Sequence, residues 1–162
     1  MKTYNGKRLG TGEVEVLVTV AGTPTVKYTL RHLRLHSSGF EWGYGGSGPS
    51  DLALSLLADY LDEDPVRVLT WAQTGHIGRR CEACGGEGFT SEIVDGREHW
   101  PGCTACNGVG AIVPEEPMAW RWHQDFKIQF VAAFPKDEDW ELTDLELETF
   151  CAYMREREKV RA

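Results

Sequence analysis

Four cysteines lie in two copies of a C-x-x-C-x-G-x-G pattern, at residues 81–88 and 103–110, and their types and spacing define a chemistry. A C-x-x-C turn directs two thiolates at one point, and two such turns supply the four sulfurs of a tetrahedral zinc shell. Four thiolates leave no open position for water, so the pattern predicts one structural Zn²⁺ ion and no catalytic one. The predicted ligands are Cys81, Cys84, Cys103 and Cys106.

The residues around the cysteines predict two knuckles joined by a hairpin. Gly85 follows the second cysteine of the first copy, and Asn107 takes that position in the second copy. Both residue types tolerate a left-handed backbone, which lets N–H groups point at a thiolate. Asp95-Gly96 is a strong two-residue hairpin signal, and residues 108–113 are expected to return as a strand. So small a module buries little apolar surface, so the metal must supply much of its folding free energy.

The remaining cysteine and two nearby histidines are expected to play no part in metal binding. His76 and His99 are expected at the surface, because four cysteines already complete the shell. Cys151 lies on an apolar helical stripe and is expected to be a buried small hydrophobe. Paired C-x-x-C turns with one unpaired thiol are typical of the reducing cytoplasm. Two disulfides in a secreted protein are the alternative, although residues 1–5 offer no apolar signal core.

The rest of the chain predicts an α+β core with a small antiparallel sheet and about four helices. Residues 13–20 alternate between polar and apolar and predict a strand. Residues 26–35 predict a second strand with a bulge or break near Arg31-His32, and the aromatic residues 40–44 predict a third. The core domain is expected to comprise residues 1–75 and 117–162, with the four-cysteine module inserted at 76–116.

Four segments carry helix signals. The first follows the glycine-rich loop and has an apolar stripe, and the second begins at Asp64-Pro65 and extends to about Ala72. The third begins at Glu116-Pro117, and strict alternation over 126–134 leaves a strand as the alternative for its end. The fourth begins with a capping box at Thr143–Glu146.

The glycine-rich segment 43–50 has a second, weaker functional interpretation. It matches the dinucleotide-binding pattern G-x-G-x-x-G, but the nearest acids, at 62–64, lie in a predicted turn and not at the end of a second parallel strand. Aligned as a P-loop it has Pro49 in the position of the phosphate-binding lysine, which excludes that class of site. Backbone N–H groups at the start of the following helix could still bind an anion. Alternatively, the glycines allow a tight turn, and Ser47 or Ser50 caps the helix. The candidate anion or ligand loop consists of Gly45, Gly46, Ser47, Gly48 and Ser50.

No complete catalytic set is visible in the sequence, which predicts that the protein is not an enzyme. Ser47 misses the G-x-S-x-G nucleophile pattern by one residue. His32 and His36 share strand parity, but no carboxylate or thiol close to them in sequence completes a constellation, and both are expected at the surface.

The module resembles the cysteine-rich zinc domain of DnaJ-type chaperones, which is built from C-x-x-C-x-G-x-G repeats. The resemblance covers residues 81–110 and two repeats, whereas those chaperones carry four, and the His-Pro-Asp signature of their J-domain is absent. It implies one zinc ion in a module used to contact another macromolecule, and no co-chaperone activity.

The remainder of the chain resembles an uncharacterised family of short bacterial and phage proteins. The resemblance rests on residues 39–49, which read GFEWGYGGSGP, and on the ending at 124–143. Because that family usually lacks the cysteine segment, the resemblance implies that the zinc module is an insertion into a small α+β core.

Charge and motifs together predict a cytoplasmic, non-enzymatic protein that acts by binding another protein. The net charge of -8 argues against a general binder of nucleic acid, and no segment is apolar enough to span a membrane. An accessory or inhibitor protein of a phage or bacterium fits the second resemblance. Nucleic-acid binding through the zinc module, and an enzyme or ligand binder that holds an anion at residues 43–50, are the alternatives.

Overall fold

The computed structural model describes residues 1–10, 12–74, 78–112 and 114–161, and within them the protein has the expected α+β fold. The chain divides into two compact units. The core unit comprises Met1–Gln73 and Pro117–Ala162, and the cysteine module comprises Thr74–Glu116. Whether each unit folds as an independent domain stays a prediction.

The described residues form eight strands and four α-helices. The strands are β1 (Lys2–Arg8), β2 (Val14–Val20), β3 (Val26–Thr29), β4 (Arg79–Arg80), β5 (Glu92–Val94), β6 (Arg97–His99), β7 (Ala111–Ile112) and β8 (Trp140–Thr143). The helices are α1 (Ser47–Tyr60), α2 (Pro65–Thr74), α3 (Met118–Gln129) and α4 (Asp144–Arg161), and a 3-10 turn covers Val131–Ala133.

The core unit contains a four-stranded antiparallel sheet in the order β3-β2-β1-β8. Tyr4, Val16, Val18 and Leu142 lie in the hydrophobic core, fully buried with the inner faces of the helices. The sequence did not predict β1 or β8. β1 carries one large apolar side chain, and β8 lies within an acidic run that suggested a solvated turn. Both strands are therefore stabilised mainly by their cross-strand partners.

The strand predictions for residues 26–44 are confirmed only in part. The strand predicted over 26–35 is present as β3 but ends at Thr29, before the predicted break, and the prediction of a strand over 40–44 was wrong. Phe40 and Trp42 are nevertheless buried. The indole N–H of Trp42 donates to the Glu138 carbonyl at 3.1 Å, and the Gly43 N–H donates to the Val131 carbonyl at 3.0 Å. Aromatic residues thus enter the core from an irregular segment.

The helix predictions are confirmed, with changes at the ends. Asp64 caps α2, because its Oδ1 accepts from the Val66 N–H at 3.0 Å. At α4 the Glu146 carboxylate accepts from the Thr143 N–H at 2.8 Å, which is half of the predicted capping box. α3 ends at Gln129, so the strand alternative for 126–134 was wrong. None of the helices in the described ranges has the length and apolar character needed to cross a bilayer.

Candidate functional site

The four predicted ligands lie together and could hold one metal ion. The ligand atoms of Cys81, Cys84, Cys103 and Cys106 all lie within 4.8 Å of one another. The Cys81–Cys103 and Cys84–Cys106 Sγ pairs are each 3.8 Å apart. A tetrahedral shell with metal–sulfur bonds of about 2.3 Å requires sulfurs about 3.8 Å apart. The cysteines are free thiols, so the arrangement fits a single structural metal ion and excludes the disulfide alternative.

The two cysteine turns are held by matching backbone hydrogen bonds. The Cys81 N–H donates to the Gly110 carbonyl at 3.0 Å, and the equivalent Cys103 N–H donates to the Gly88 carbonyl at 2.8 Å. Each copy of the pattern therefore closes on the last glycine of the other copy. This exchange explains why two complete copies are needed to bring four sulfurs together.

Glycines of the pattern direct N–H groups at sulfur. Gly85 and Asn107 have the left-handed backbone that the sequence predicts, with φ of 58° and 49°. The N–H groups that donate to sulfur, however, belong to glycines three residues further along the chain in each copy. The Gly88 N–H lies 3.3 Å from Cys84 Sγ, and the Gly110 N–H lies 3.2 Å from Cys106 Sγ. Such N–H···S contacts stabilise thiolate charge around a metal.

The cysteine pKa values differ between the two turns. Burial raises the pKa of Cys84, but N–H groups of Gly88 and Gly86 outweigh that effect and lower the pKa to about 7. Burial raises the pKa of Cys103 to about 11, with hydrogen bonds to other thiols adding to the effect. A cation bound at the cluster would favour the thiolate form of all four cysteines.

A methyl group at Gly88 is expected to weaken metal binding. Gly88 has a φ of 84°, and an added Cβ would overlap the Gly108 carbonyl oxygen. We expect Gly88→Ala to destabilise the module by about 1–3 kcal/mol. Competition with a chromophoric chelator measures the effect. Gly102→Ala is the control, because its added Cβ would meet nothing within 4 Å; equal losses in both variants would contradict the packing argument.

The predicted hairpin lies between the two turns and presents an apolar face. β5 and β6 pair antiparallel around Asp95 and Gly96, both with positive φ. The Phe89–Gly102 bridge continues the same register. Side chains alternate across a strand, so Phe89, Ile93 and Trp100 lie on one face, which we call the aromatic face. The Phe89 and Trp100 rings meet edge to face at 5.5 Å.

Neither Cys151 nor His99 belongs to the cluster of potential metal ligands among the described residues. Cys151 is buried on α4 as predicted, and burial raises the pKa of its thiol to about 11. His99 is exposed in β6, as expected. His76 lies outside the described residues.

The structure places the residues of the candidate anion loop in different environments, some buried in α1 and some lining a cleft. Gly46 is the N-cap of α1 and has no side-chain cap, so the expectation that Ser47 or Ser50 caps the helix was wrong. Ser50 is buried, and its Oγ accepts from Lys127 Nζ at 3.1 Å and from Gln124 Nε2 at 3.2 Å. Gly48 packs against Glu41, whose Cβ would lie 2.7 Å from an added Cβ. Ser47 and Gly48 line an open cleft of about 720 Å³.

A buried carboxylate that the sequence analysis missed lies at the centre of a polar cluster. Asp51 of α1 is 0% exposed. His32 Nε2 lies 3.3 Å from Asp51 Oδ2, and His36 Nδ1 lies 3.1 Å from Oδ1. The carboxylate also accepts from the backbone N–H groups of Leu35, His36 and Ser37, and from the Ser37 hydroxyl. The two histidines therefore do share a carboxylate, which the sequence analysis did not find. His36 is exposed, as expected, whereas His32 is half-buried, and neither residue lies in a strand.

The sequence held one signal for this cluster. Asp51 is the only acid among the apolar residues at the start of α1, where a carboxylate in a buried helix requires several donors. Its partners lie 14 to 19 residues away along the chain, in a segment without regular structure. Periodicity cannot identify such partners.

Comparison with known proteins gives one match. The model of a family of unknown function, DUF6166, matches residues 4–74, less than half of the chain. The match spans β1 to α2 of the core unit and includes the GFEWGYGGSGP segment. No curated protein and no solved structure matches the chain. The resemblance of residues 81–110 to DnaJ-type chaperones thus stays an expectation.

Proposed function

We propose that the protein is a non-enzymatic zinc protein whose cysteine module binds another protein through the aromatic face. The observation that carries this proposal is a metal-compatible cluster of four cysteines in the same unit as a hairpin with exposed large apolar side chains. A phage or bacterial accessory or inhibitor protein working in the cytoplasm would use such a module.

Zinc is the metal we propose, in a single structural site. Four thiolates in tetrahedral arrangement are a ligand set typical of structural Zn²⁺ and leave no coordination position for a substrate. When bound, the ion would cross-link the two cysteine turns. Cys81, Cys84, Cys103 and Cys106 would be its ligands, with the Gly88 and Gly110 N–H groups stabilising the sulfur charge.

The aromatic face has the properties of a protein-binding surface. Phe89, Ile93 and Trp100 are 40%, 69% and 57% exposed. Aromatic side chains supply much of the binding free energy at protein interfaces, Trp above all. A small module that exposes two aromatic residues and one isoleucine on one face of a metal-supported hairpin presents them at little cost in conformational entropy.

The charge of the module indicates a basic partner. Residues 78–116 contain seven carboxylates and three arginines, and four zinc-bound thiolates would add further negative charge. Phosphate backbones would be repelled, which disfavours the nucleic-acid alternative. A protein with an apolar pocket rimmed by lysine or arginine is complementary to this surface.

We expect Trp100→Ala to weaken partner binding about 30-fold, because loss of a central Trp costs about 2 kcal/mol or more. Affinity capture with the intact protein from the source cell identifies the partner, and titration of the purified pair measures the affinity. Val94→Ala is the matched control, since Val94 is 43% exposed on the opposite face of the same hairpin and should bind as the wild type does.

Three outcomes would contradict the proposal. One is a partner captured equally by wild type, Trp100→Ala and Val94→Ala. Another is a loss of binding in Val94→Ala as large as that in Trp100→Ala. The third is binding to DNA or RNA whose affinity falls steeply as salt rises, which would favour the nucleic-acid alternative.

A further inference from the structure

We propose that the open cleft of the core unit binds a small molecule through an anionic oxygen group, phosphate or carboxylate, held by Arg34 and His32. This site is separate from the cysteine cluster and goes beyond the protein-binding function. It differs from the anion loop that the sequence suggested, because its contacts come from the segment after β3.

The cleft exists because β3 ends early. The Leu30 N–H still donates to the Val16 carbonyl at 2.8 Å, and then the chain leaves the sheet. Asp51 binds the next segment through the N–H groups of Leu35, His36 and Ser37. The cleft lies between the first residues of β2 and this segment, and its volume of about 720 Å³ falls within the range of small-molecule sites.

His32 lines this cleft with its ring held in place. Its Nε2 is engaged by Asp51 Oδ2, and its ring lies against Phe40 with centroids 4.5 Å apart. This leaves Nδ1 as the ring nitrogen for a ligand. An imidazolium donates from both nitrogens, so it can bridge the buried carboxylate and an anion.

Arg34 supplies a second cationic group in the same cleft. It is exposed, and among the described residues no hydrogen bond or ion pair engages its guanidinium. Arginine presents a planar fork that binds carboxylate or phosphate in bidentate fashion. Glu13 and Glu15 line the strand side of the cleft, and the third carboxylate in the lining, Glu41, is paired with Arg8 at 3.0 Å. We therefore expect the anionic group on the side of His32 and Arg34.

Titration of the ¹⁵N-labelled intact protein with inorganic phosphate, and separately with acetate, tests this site by NMR. We expect shifts of the Ser47 and Gly48 amides and of the Arg34 side chain with at least one probe. Arg34→Ala and His32→Gln should each weaken that binding about tenfold, the usual effect of losing one charge-assisted hydrogen bond. The probe that binds identifies the ligand as a phosphate or a carboxylate.

Two control variants test whether the probe binds specifically to Arg34 and His32 or is attracted by surface charge in general. Arg31→Ala removes an exposed arginine that lies outside the cleft, and His99→Gln removes an exposed imidazole of the cysteine module. Both should bind the probe as the wild type does. The proposal is overturned if neither probe binds at millimolar concentration, or if all four variants lose affinity equally.

Discussion

Removing the metal, or replacing Cys81 with serine, is expected to unfold the cysteine module while the four-stranded sheet and its helices stay folded. Within the described part of the module, the buried apolar cluster consists of the four cysteines alone. Nothing else in that cluster replaces the metal as a source of folding free energy. A structural zinc ion contributes about 10–16 kcal/mol to small modules of this kind at neutral pH.

Metal content by mass spectrometry and amide NMR spectra measure this effect. In the Cys81→Ser variant, and in the wild type with chelator, the amide signals of β5 and β6 should collapse to unfolded positions. The core signals, such as those of β1 and β2, should remain. One zinc ion per chain in the wild type is the expected stoichiometry.

Cys151→Ser is the matched control for loss of a thiol. Cys151 is a free cysteine buried on α4, outside the metal cluster, so this variant should keep one zinc ion per chain and a folded module. If the hairpin stayed folded without metal, the prediction that the metal supplies most of the folding free energy of the cysteine module would be wrong.

Asp51→Asn is expected to lower the unfolding free energy of the core unit by about 3–5 kcal/mol, because each buried donor left without an acceptor costs about 1–3 kcal/mol. The amide NH₂ of asparagine would face donors on Leu35, His36 and Ser37, which leaves N–H groups unsatisfied. Urea denaturation followed by tryptophan fluorescence measures the change. Asp62→Asn is the control, because Asp62 is exposed and has a left-handed φ of 54° that asparagine tolerates. That variant should stay within about 0.5 kcal/mol of the wild type.

The Asp51 carboxylate is also expected to make the unfolding free energy of the core unit depend on pH. Burial raises the pKa of Asp51, but hydrogen bonds from the Ser37 hydroxyl and from the N–H groups of His36 and Ser37 outweigh it and hold the pKa below 3.8. The folded pKa is therefore lower than the unfolded one. The contribution of Asp51 is fully present above pH 3.8 and is lost as pH falls through the folded pKa. The difference between wild type and Asp51→Asn should accordingly narrow in acid, and a constant difference would contradict this assignment.

The Asp64 cap of α2, the Thr143–Glu146 contact at α4 and the hairpin were predictable because their determinants lie within a few residues. The Asp64 cap of α2 and the Asp95-Gly96 turn each depend on contacts one to three residues apart. β1 and β8 were not predictable, because neither segment carries a strong strand pattern of its own. Their pairing depends on contacts between distant residues. Gly6 of β1, for example, packs so closely on the Trp140 indole of β8, 134 residues away, that an added Cβ would overlap it.

The sequence by itself determined the cluster of four cysteines. Each C-x-x-C turn sets two sulfurs by local geometry, so their convergence needed little information from the rest of the chain. The tertiary structure alone decided which side chains share a face of the hairpin and which polar groups pair inside the core unit. Hairpin register placed Phe89, Ile93 and Trp100 on one face, and burial of α1 forced Asp51 to take its hydrogen bonds from residues 32–37. Those arrangements depend on pairing and desolvation between distant segments, which residue types and spacing do not encode.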